Sequence, residues 1–394
     1  MSAILGPGDA VELAGLVYAI ESKNYTEDEL APYKRNWNFN PDSNSLAIKG
    51  SSGTARLMRK TSGFCTIASG ADNVANPYRN HVLILTRGTS SAFDWASDGT
   101  VGISRSRSGH LVHMGFQQVF SEILDNGLRD FFARAKNPVK VHCVGHSLGG
   151  ALATMIAEWV KTNRKAGEVA LYTFGCPRVG MESYRKYAED KIGKENIYRV
   201  FHQQDPVPMV PLWPFLHIQQ DSTLRLGGSG GNFIDPRKHY MASYALLVSR
   251  SSNWKKLEDN SWIQPTEKAL KQWMESDGVV SFTVSSINLL NASIAWIFRE
   301  VFKEMAISIQ NTLSVGMTLL DQIAMVLHRA QQGKFPVSAY VTHLIRKILQ
   351  LLGRKVTVLA EDMSISFIRN IFEALQRRLS KEVKNALINV SKEQ

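Results

Sequence analysis

The feature that most limits what this chain can become is the run Val144-Gly-His-Ser-Leu-Gly-Gly150, set between a strand-like and a helix-like segment. Before it, Val139-Lys-Val-His-Cys-Val144 is apolar and β-branched, as a central strand of a parallel sheet must be. After it, Gly150-Ala-Leu-Ala-Thr-Met-Ile-Ala-Glu-Trp159 carries small residues and no helix breaker, which suits a helix lying close on a sheet. A serine in Gly-x-Ser-x-Gly at such a junction sits on a sharp turn that lifts its hydroxyl above the sheet. Gly145 and Gly149 remove the side chains that would collide there. The turn also aims a helix N-terminus at the hydroxyl, so the Leu148 backbone N–H becomes a donor for a developing oxyanion. Ser147 is the candidate nucleophile.

The surrounding pattern fits an α/β fold with a central, mostly parallel sheet. Leu13, Leu16, Val17 and Ile20 recur at helical spacing after Asp9, which predicts an opening helix. Strands are expected at Gly63–Ile67, His81–Thr86, Val139–Val144, Val169–Phe174 and Asn196–Phe201. A serine at its ordinary pKa is a weak nucleophile and needs a base with an orienting acid, expected downstream in the order Ser, Asp, His. Asp205 follows the fifth strand, at the carboxyl edge where ligands bind in such sheets; an Asp before Pro is also a common turn residue. Three histidines compete for the base: His239 heads an apolar helix-like segment, His202 lies within the strand, and His217 sits in a loop rich in Pro and Trp. His142 and His146 flank the nucleophile too closely to turn back to it, so structural roles are expected for both.

Five ordered blocks within residues 60–250 resemble the class 3 lipases, the fungal-lipase-like branch of the α/β-hydrolase fold. They are Leu85-Thr-Arg-Gly-Thr-Ser-Ser-Ala-Phe-Asp-Trp-Ala-Ser-Asp98, Val112-His-Met-Gly-Phe116, Gly145-His-Ser-Leu-Gly-Gly150, Thr173-Phe-Gly-Cys-Pro-Arg-Val-Gly180, and Asp205-Pro-Val-Pro208 followed by His239. The resemblance implies Ser147 as nucleophile, Asp205 as orienting acid and His239 as base. It implies Thr89 as a second oxyanion donor beside Leu148, and a lid over Ser91 to about Ser108, with Phe93 and Trp95 as its apolar residues. The separation of 34 positions from Asp205 to His239 is short for that family.

The resemblance stops near residue 250, and the expected division is a hydrolase domain over 1–250, a linker over 251–277 and a helical, basic, amphipathic region over 278–394. Residues 279–298 hold no charge and are long enough to span a bilayer, yet seven Ser, Thr and Asn residues favour a helix buried in the protein. Val341, Leu344, Ile345, Ile348, Leu349 and Leu352 form a helical stripe near Arg346, Lys347, Arg354 and Lys355, a face that suits either anionic lipid or the hydrolase surface.

Composition adds compartment and charge. The 394 residues carry a formal net charge of +11, and residues 329–394 hold 12 Lys+Arg against 5 Asp+Glu, so most of that excess lies outside the hydrolase. Cys65, Cys143 and Cys176 are too few and too scattered for a disulfide framework or a zinc site, and no cofactor or metal is expected. Residues 1–9 lack the basic and apolar runs of a secretory signal, so cytoplasmic synthesis and export by a signal-independent route are expected. The basic residues come with no nucleic-acid recognition motif. Hydrolase blocks, an added helical region and no signal together look like the phospholipase effectors that bacteria inject by contact-dependent secretion. The expectation is a glycerolipid ester hydrolase, most specifically a phospholipase A acting at a membrane surface. Its expected partners are a secretion apparatus and an inhibitor (immunity) protein. The alternatives are a membrane-binding or pore-forming protein with a vestigial hydrolase, or an esterase of soluble substrates.

Overall fold

The structure, a computed structural model, describes residues 3–22, 27–39, 48–52, 60–88, 102–135, 137–219, 224–227, 232–257, 265–304, 318–333, 336–354 and 363–390. Among these, the strands are β1 (Trp37–Asn38), β2 (Ile48–Ser52), β3 (Lys60–Gly70), β4 (His81–Gly88), β5 (Ile103–Arg105), β6 (Leu111–His113), β7 (Lys140–His146), β8 (Glu168–Phe174), β9 (Ile197–His202) and β10 (Leu224–Leu226). The main sheet runs β1-β3-β4-β7-β8-β9-β10, with β2 paired to β3. β3 is antiparallel to β4, whereas β4, β7, β8, β9 and β10 are mutually parallel neighbours. The helix Leu148–Thr162 carries the chain from β7 to β8 and the helix Glu182–Ile192 from β8 to β9. This is an α/β-hydrolase architecture, and each of the five strands expected from the sequence is present within a few residues of its expected bounds.

Successive residues of one strand point to opposite faces, and the two cores divide accordingly. Val82, Ile84, Val141, Cys143, Val169 and Leu171 pack under the helices Met114–Ile123 and Leu148–Thr162. Leu83, Leu85, Val144, Ala170 and Tyr172 pack against the helices Pro7–Ser22 and Met241–Val248. Both faces are covered, which is why these strands read as continuous apolar runs rather than alternating ones.

A third core lies beyond the carboxyl edge of the sheet. It joins Val207, Met209, Val210, Trp213 and Phe215, which follow β9, to the helices Glu267–Glu275, Val284–Glu304, Leu319–Gln332, Ser338–Leu351 and Ile365–Val390. Thr266 caps the first of these by accepting from the Ala269 N–H, and Thr318 with Asp321 forms a reciprocal capping box on the third. The helix Val284–Glu304 buries Ile287, Leu290, Ile294, Ile297 and Val301, one residue per turn or nearly so. No helix among the described residues is long and apolar enough to cross a membrane. The stripe Val341, Leu344, Ile345, Ile348 and Leu349 also faces this core. It packs mainly on the helices Glu267–Glu275, Val284–Glu304, Leu319–Gln332 and Ile365–Val390 rather than on the expected hydrolase surface, and burial at about 1.5–3 kcal/mol per large apolar side chain explains why the stripe turns inward. Lys347, expected among the solvated charges, is 1% exposed and its ammonium donates to the Ser276 carbonyl and hydroxyl. Residues 251–277, read from the sequence as a linker, contain the turn Trp254–Leu257 and the helix Glu267–Glu275.

Candidate active site

Ser147 stands between β7 and the helix Leu148–Thr162 with φ 58° and ψ −133°, a left-handed conformation that costs a non-glycine residue about 1–3 kcal/mol. The fold holds it there by close approach. A Cβ on Gly145 would meet the Gly149 carbonyl oxygen at 2.3 Å, and one on Gly149 would meet the Thr86 carbonyl oxygen at 2.3 Å. The Thr86 hydroxyl donates to the Gly149 carbonyl at 2.7 Å, tying the turn to β4. Leu148 heads the helix, so its N–H has no acceptor within the helix.

Three side chains form one hydrogen-bonded line. His239 Nε2 lies 2.9 Å from Ser147 Oγ, and His239 Nδ1 lies 2.8 Å from Asp205 Oδ2. All three are buried; His239 is 0% exposed and Asp205 1%. Asp205 sits just past β9, where its Oδ1 accepts from the Val207 N–H at 2.8 Å. His239 ends a short turn, Pro236–His239, that Asp235 caps by accepting from the Arg237 N–H while Pro236 supplies a preset φ. The competing histidines are engaged elsewhere: His202 Nδ1 accepts from the Gln204 N–H, and His217 Nε2 bonds the Pro208 carbonyl.

Two further residues fix this line, and sequence reasoning gave them no part in it. The Tyr244 hydroxyl donates to Asp205 Oδ2 at 2.7 Å and accepts from the His202 N–H at 3.0 Å. Burial, reinforced by the Asp205 charge, pushes the phenol pKa well up, so it remains a donor. His146, expected to be structural, holds the base: its Nε2 is 2.8 Å from the His239 carbonyl. A carbonyl only accepts, so Nε2 carries the proton and Nδ1 accepts from the Tyr18 hydroxyl at 2.6 Å. Burial and the neighbouring His239 push His146 well below the ordinary imidazole range, which keeps this tautomer neutral. Nothing local in the sequence pointed from Tyr244 to Asp205 or from Tyr18 to His146.

Thr89, Phe93 and Trp95 lie outside the described residues, as do residues 91–101 of the expected lid. Of its remainder, β5 is a strand paired antiparallel with β6, which lies beyond the expected lid. Among the described residues no group of three or more His, Cys, Asp or Glu side chains is placed to hold a metal ion. What the arrangement offers is a buried alcohol with a proton acceptor and an orienting carboxylate.

Residues 83–215 match the family model described as lipase (class 3), a span that takes in Ser147 and Asp205 and ends before His239. A secreted mono- and diacylglycerol lipase of Fusarium solani is 35% identical over 139 residues, covering 34% of this chain and 40% of that protein. A chloroplastic phospholipase A(1) of Arabidopsis thaliana is 29% identical over 170 residues, 38% of either chain. The toxin TseL of Vibrio cholerae is 34% identical over 103 residues, 26% of this chain and 15% of the toxin. Lipase II from Rhizopus niveus, a solved structure, overlays 53% of this chain and 74% of its own at 22% identity with a TM-score of 0.38. The chain spans less than half the length of the curated relatives it matches first. The resemblance to class 3 lipases read from the ordered blocks is borne out over residues 83–215.

Proposed function

We propose that this chain hydrolyses carboxylic esters of glycerolipids, acting as a phospholipase A on membrane phospholipids, and that it serves as an antibacterial effector. The observation that carries the reading is the unbroken line from Ser147 through His239 to Asp205. In this reading Ser147 Oγ attacks the ester carbonyl carbon while His239 Nε2 takes its proton, and Asp205 steadies the imidazolium. The carbonyl oxygen, now negative, accepts from the Leu148 N–H, with Thr89 as second donor. Collapse releases the alcohol, protonated by His239, and leaves an acyl-serine. Water, deprotonated by His239, then frees the fatty acid and restores Ser147.

The lipid class is supported by relatives named for mono- and diacylglycerol and for phospholipase A(1) activity. Phospholipid is favoured over neutral glyceride because the net charge of +11 suits anionic bilayers. The effector role is supported by the match to a bacterial toxin. It brings with it delivery by a secretion apparatus to a target membrane, and restraint by a cognate inhibitor protein. The hydrolase is assigned to 1–250 and the helical region to 278–394, joined through 251–277. The pore-forming alternative is disfavoured by the burial of the stripe at Val341–Leu349.

Mass spectrometry of mixed phospholipid liposomes tests the reaction. Wild type is expected to yield lysophospholipid and fatty acid, and Ser147→Ala to lower the rate by about 10⁴-fold or more. Equal product from both proteins would overturn the mechanism. Release of fatty acid from glycerides but never from phospholipid would overturn the substrate class alone. Growth arrest on periplasmic expression, lost in Ser147→Ala, is expected of an effector.

A further inference from the structure

A cavity of about 670 Å³ lies between β9 and the helix Val284–Glu304; Asp205 lines it and His239 does not. Ser147 does not line it. Two of its walls carry buried guanidinium groups: Arg199 from β9 is 4% exposed and Arg178, four residues past β8, is 7% exposed. Arg178 Nη1 donates to the Met209 and Pro211 carbonyls. Arg199 Nε has no hydrogen-bond partner, and its guanidinium stands 4.9 Å from the Phe201 ring centroid.

The carboxylates on this cavity are already committed. Glu182 is held by Arg185 at 2.8 Å and Lys186 at 3.2 Å, Glu267 by Lys271 at 2.8 Å, and Asp205 by His239 and Tyr244. Neither Arg178 nor Arg199 makes an ion pair among the described residues. Burying a charge without a partner costs several kcal/mol, and the strain shows: burial, then the Arg199 charge, pushes Arg178 down to about 9, and burial pushes Arg199 down to about 10. Both remain cationic at neutral pH.

The opposite wall belongs to the helical region. Asn288 and Asn291 are three apart on the helix Val284–Glu304 and share its cavity-facing side. Asn291 Oδ1 accepts from the Trp213 N–H at 2.7 Å, which fixes the amide and leaves its NH₂ without a partner among the described residues. The cavity thus offers two unmatched guanidiniums, amide donors and apolar surface from Trp213 and Trp296.

We propose that this cavity binds a phosphate group carried on a larger organic molecule, with Arg199 and Arg178 facing the phosphate and Asn288 and Asn291 donating to the body of the ligand. Phosphate fits better than a single carboxylate because two neighbouring cations call for about two negative charges, and guanidinium forks match phosphate oxygens. The volume exceeds what inorganic phosphate fills. The same phosphate could arrive on a soluble ester or on a lipid head group, and the test separates these sources.

The experiment uses the full chain carrying Ser147→Ala, so its outcome does not depend on ester hydrolysis. Thermal unfolding with glycerol 3-phosphate reads the soluble source; co-flotation with phosphatidylcholine vesicles, with and without phosphatidic acid, reads the lipid source. A midpoint rise of about 2 °C or more, or flotation that requires phosphatidic acid, supports the site if Arg199→Met abolishes it. Arg199→Met is also expected to raise the midpoint without ligand, since it removes an unpaired buried charge, whereas loss of a merely structural residue would lower it. Should that variant fail to fold, Asn288→Trp, which fills the cavity without touching the cations, must abolish the same response. No response to either probe, or a response that persists in both variants, would overturn the proposal.

Discussion

The sheet and its helices differ from the helical third in what holds their polar atoms. At the carboxyl edge of the sheet, Ser147, His239, Asp205, Tyr244, His146 and Tyr18 bond to one another in a buried network with short distances. In the helical third the interior is almost wholly apolar, and pairs such as Arg369–Asp321 and Arg377–Glu373 lie at its rim. Exposed pairs of that kind are worth about 0–1 kcal/mol, so the helical third stands mainly on packing, with the caps at Thr266 and Thr318 and the buried Lys347–Ser276 bonds added to it. One region is specified by directional bonds and close backbone approach, the other by volume and burial. The first tolerates almost no change of shape, and the second tolerates repacking.

Gly149→Ala strikes hardest at that difference. Its Cβ would press on the Thr86 backbone, which cannot swing aside, so a loss of about 4 kcal/mol or more is expected, seen as loss of soluble, folded protein. Recovery of well-folded Gly149→Ala at wild-type yield would break the contrast. Ile294→Ala, at a position 0% exposed in the helical core, is expected to cost about 2–5 kcal/mol in denaturant unfolding while leaving ester hydrolysis per folded molecule unchanged. If hydrolysis fell with stability, the two regions would not be separable.

The pH response sharpens the comparison at smaller scale. Each fully buried histidine lies in the α/β region; His113 is pushed down to about 3 by burial, and burial likewise pushes His142 and His146 well below the usual range. Below pH 6.5 the unfolded chain takes up protons that these folded imidazoles refuse, so stability is complete above 6.5 and falls as pH drops toward 3. Each such group contributes a slope of up to about 1.4 kcal/mol per pH unit. His113→Leu is expected to flatten the unfolding midpoint against pH by one such contribution; an unchanged slope would show that His113 is not neutral in the fold.

Legibility followed the same divide. The elbow and its flanking strands could be read because their constraints are local: the serine's turn admits only small neighbours, and β7 must be apolar on both faces. Asp205 could be placed at a strand end, but its partner could not be chosen among His239, His202 and His217 without the family resemblance, since nothing in the local sequence encodes which imidazole turns inward. Tyr244 and Tyr18 escaped notice because a buried phenol looks like any core aromatic until its hydroxyl finds an acceptor.

The sequence by itself determined the strand order's raw material, the nucleophile's turn and the cationic bias of residues 329–394, all consequences of short-range sterics and composition. Only the tertiary structure decided that the stripe Val341–Leu349 turns inward, that His146 grips the His239 carbonyl, and that Arg199 meets a cavity rather than a carboxylate. The physical reason is that hydrophobic burial is non-directional: it dictates that a face be covered, while long-range packing chooses what covers it and which polar groups are thereby brought within bonding distance.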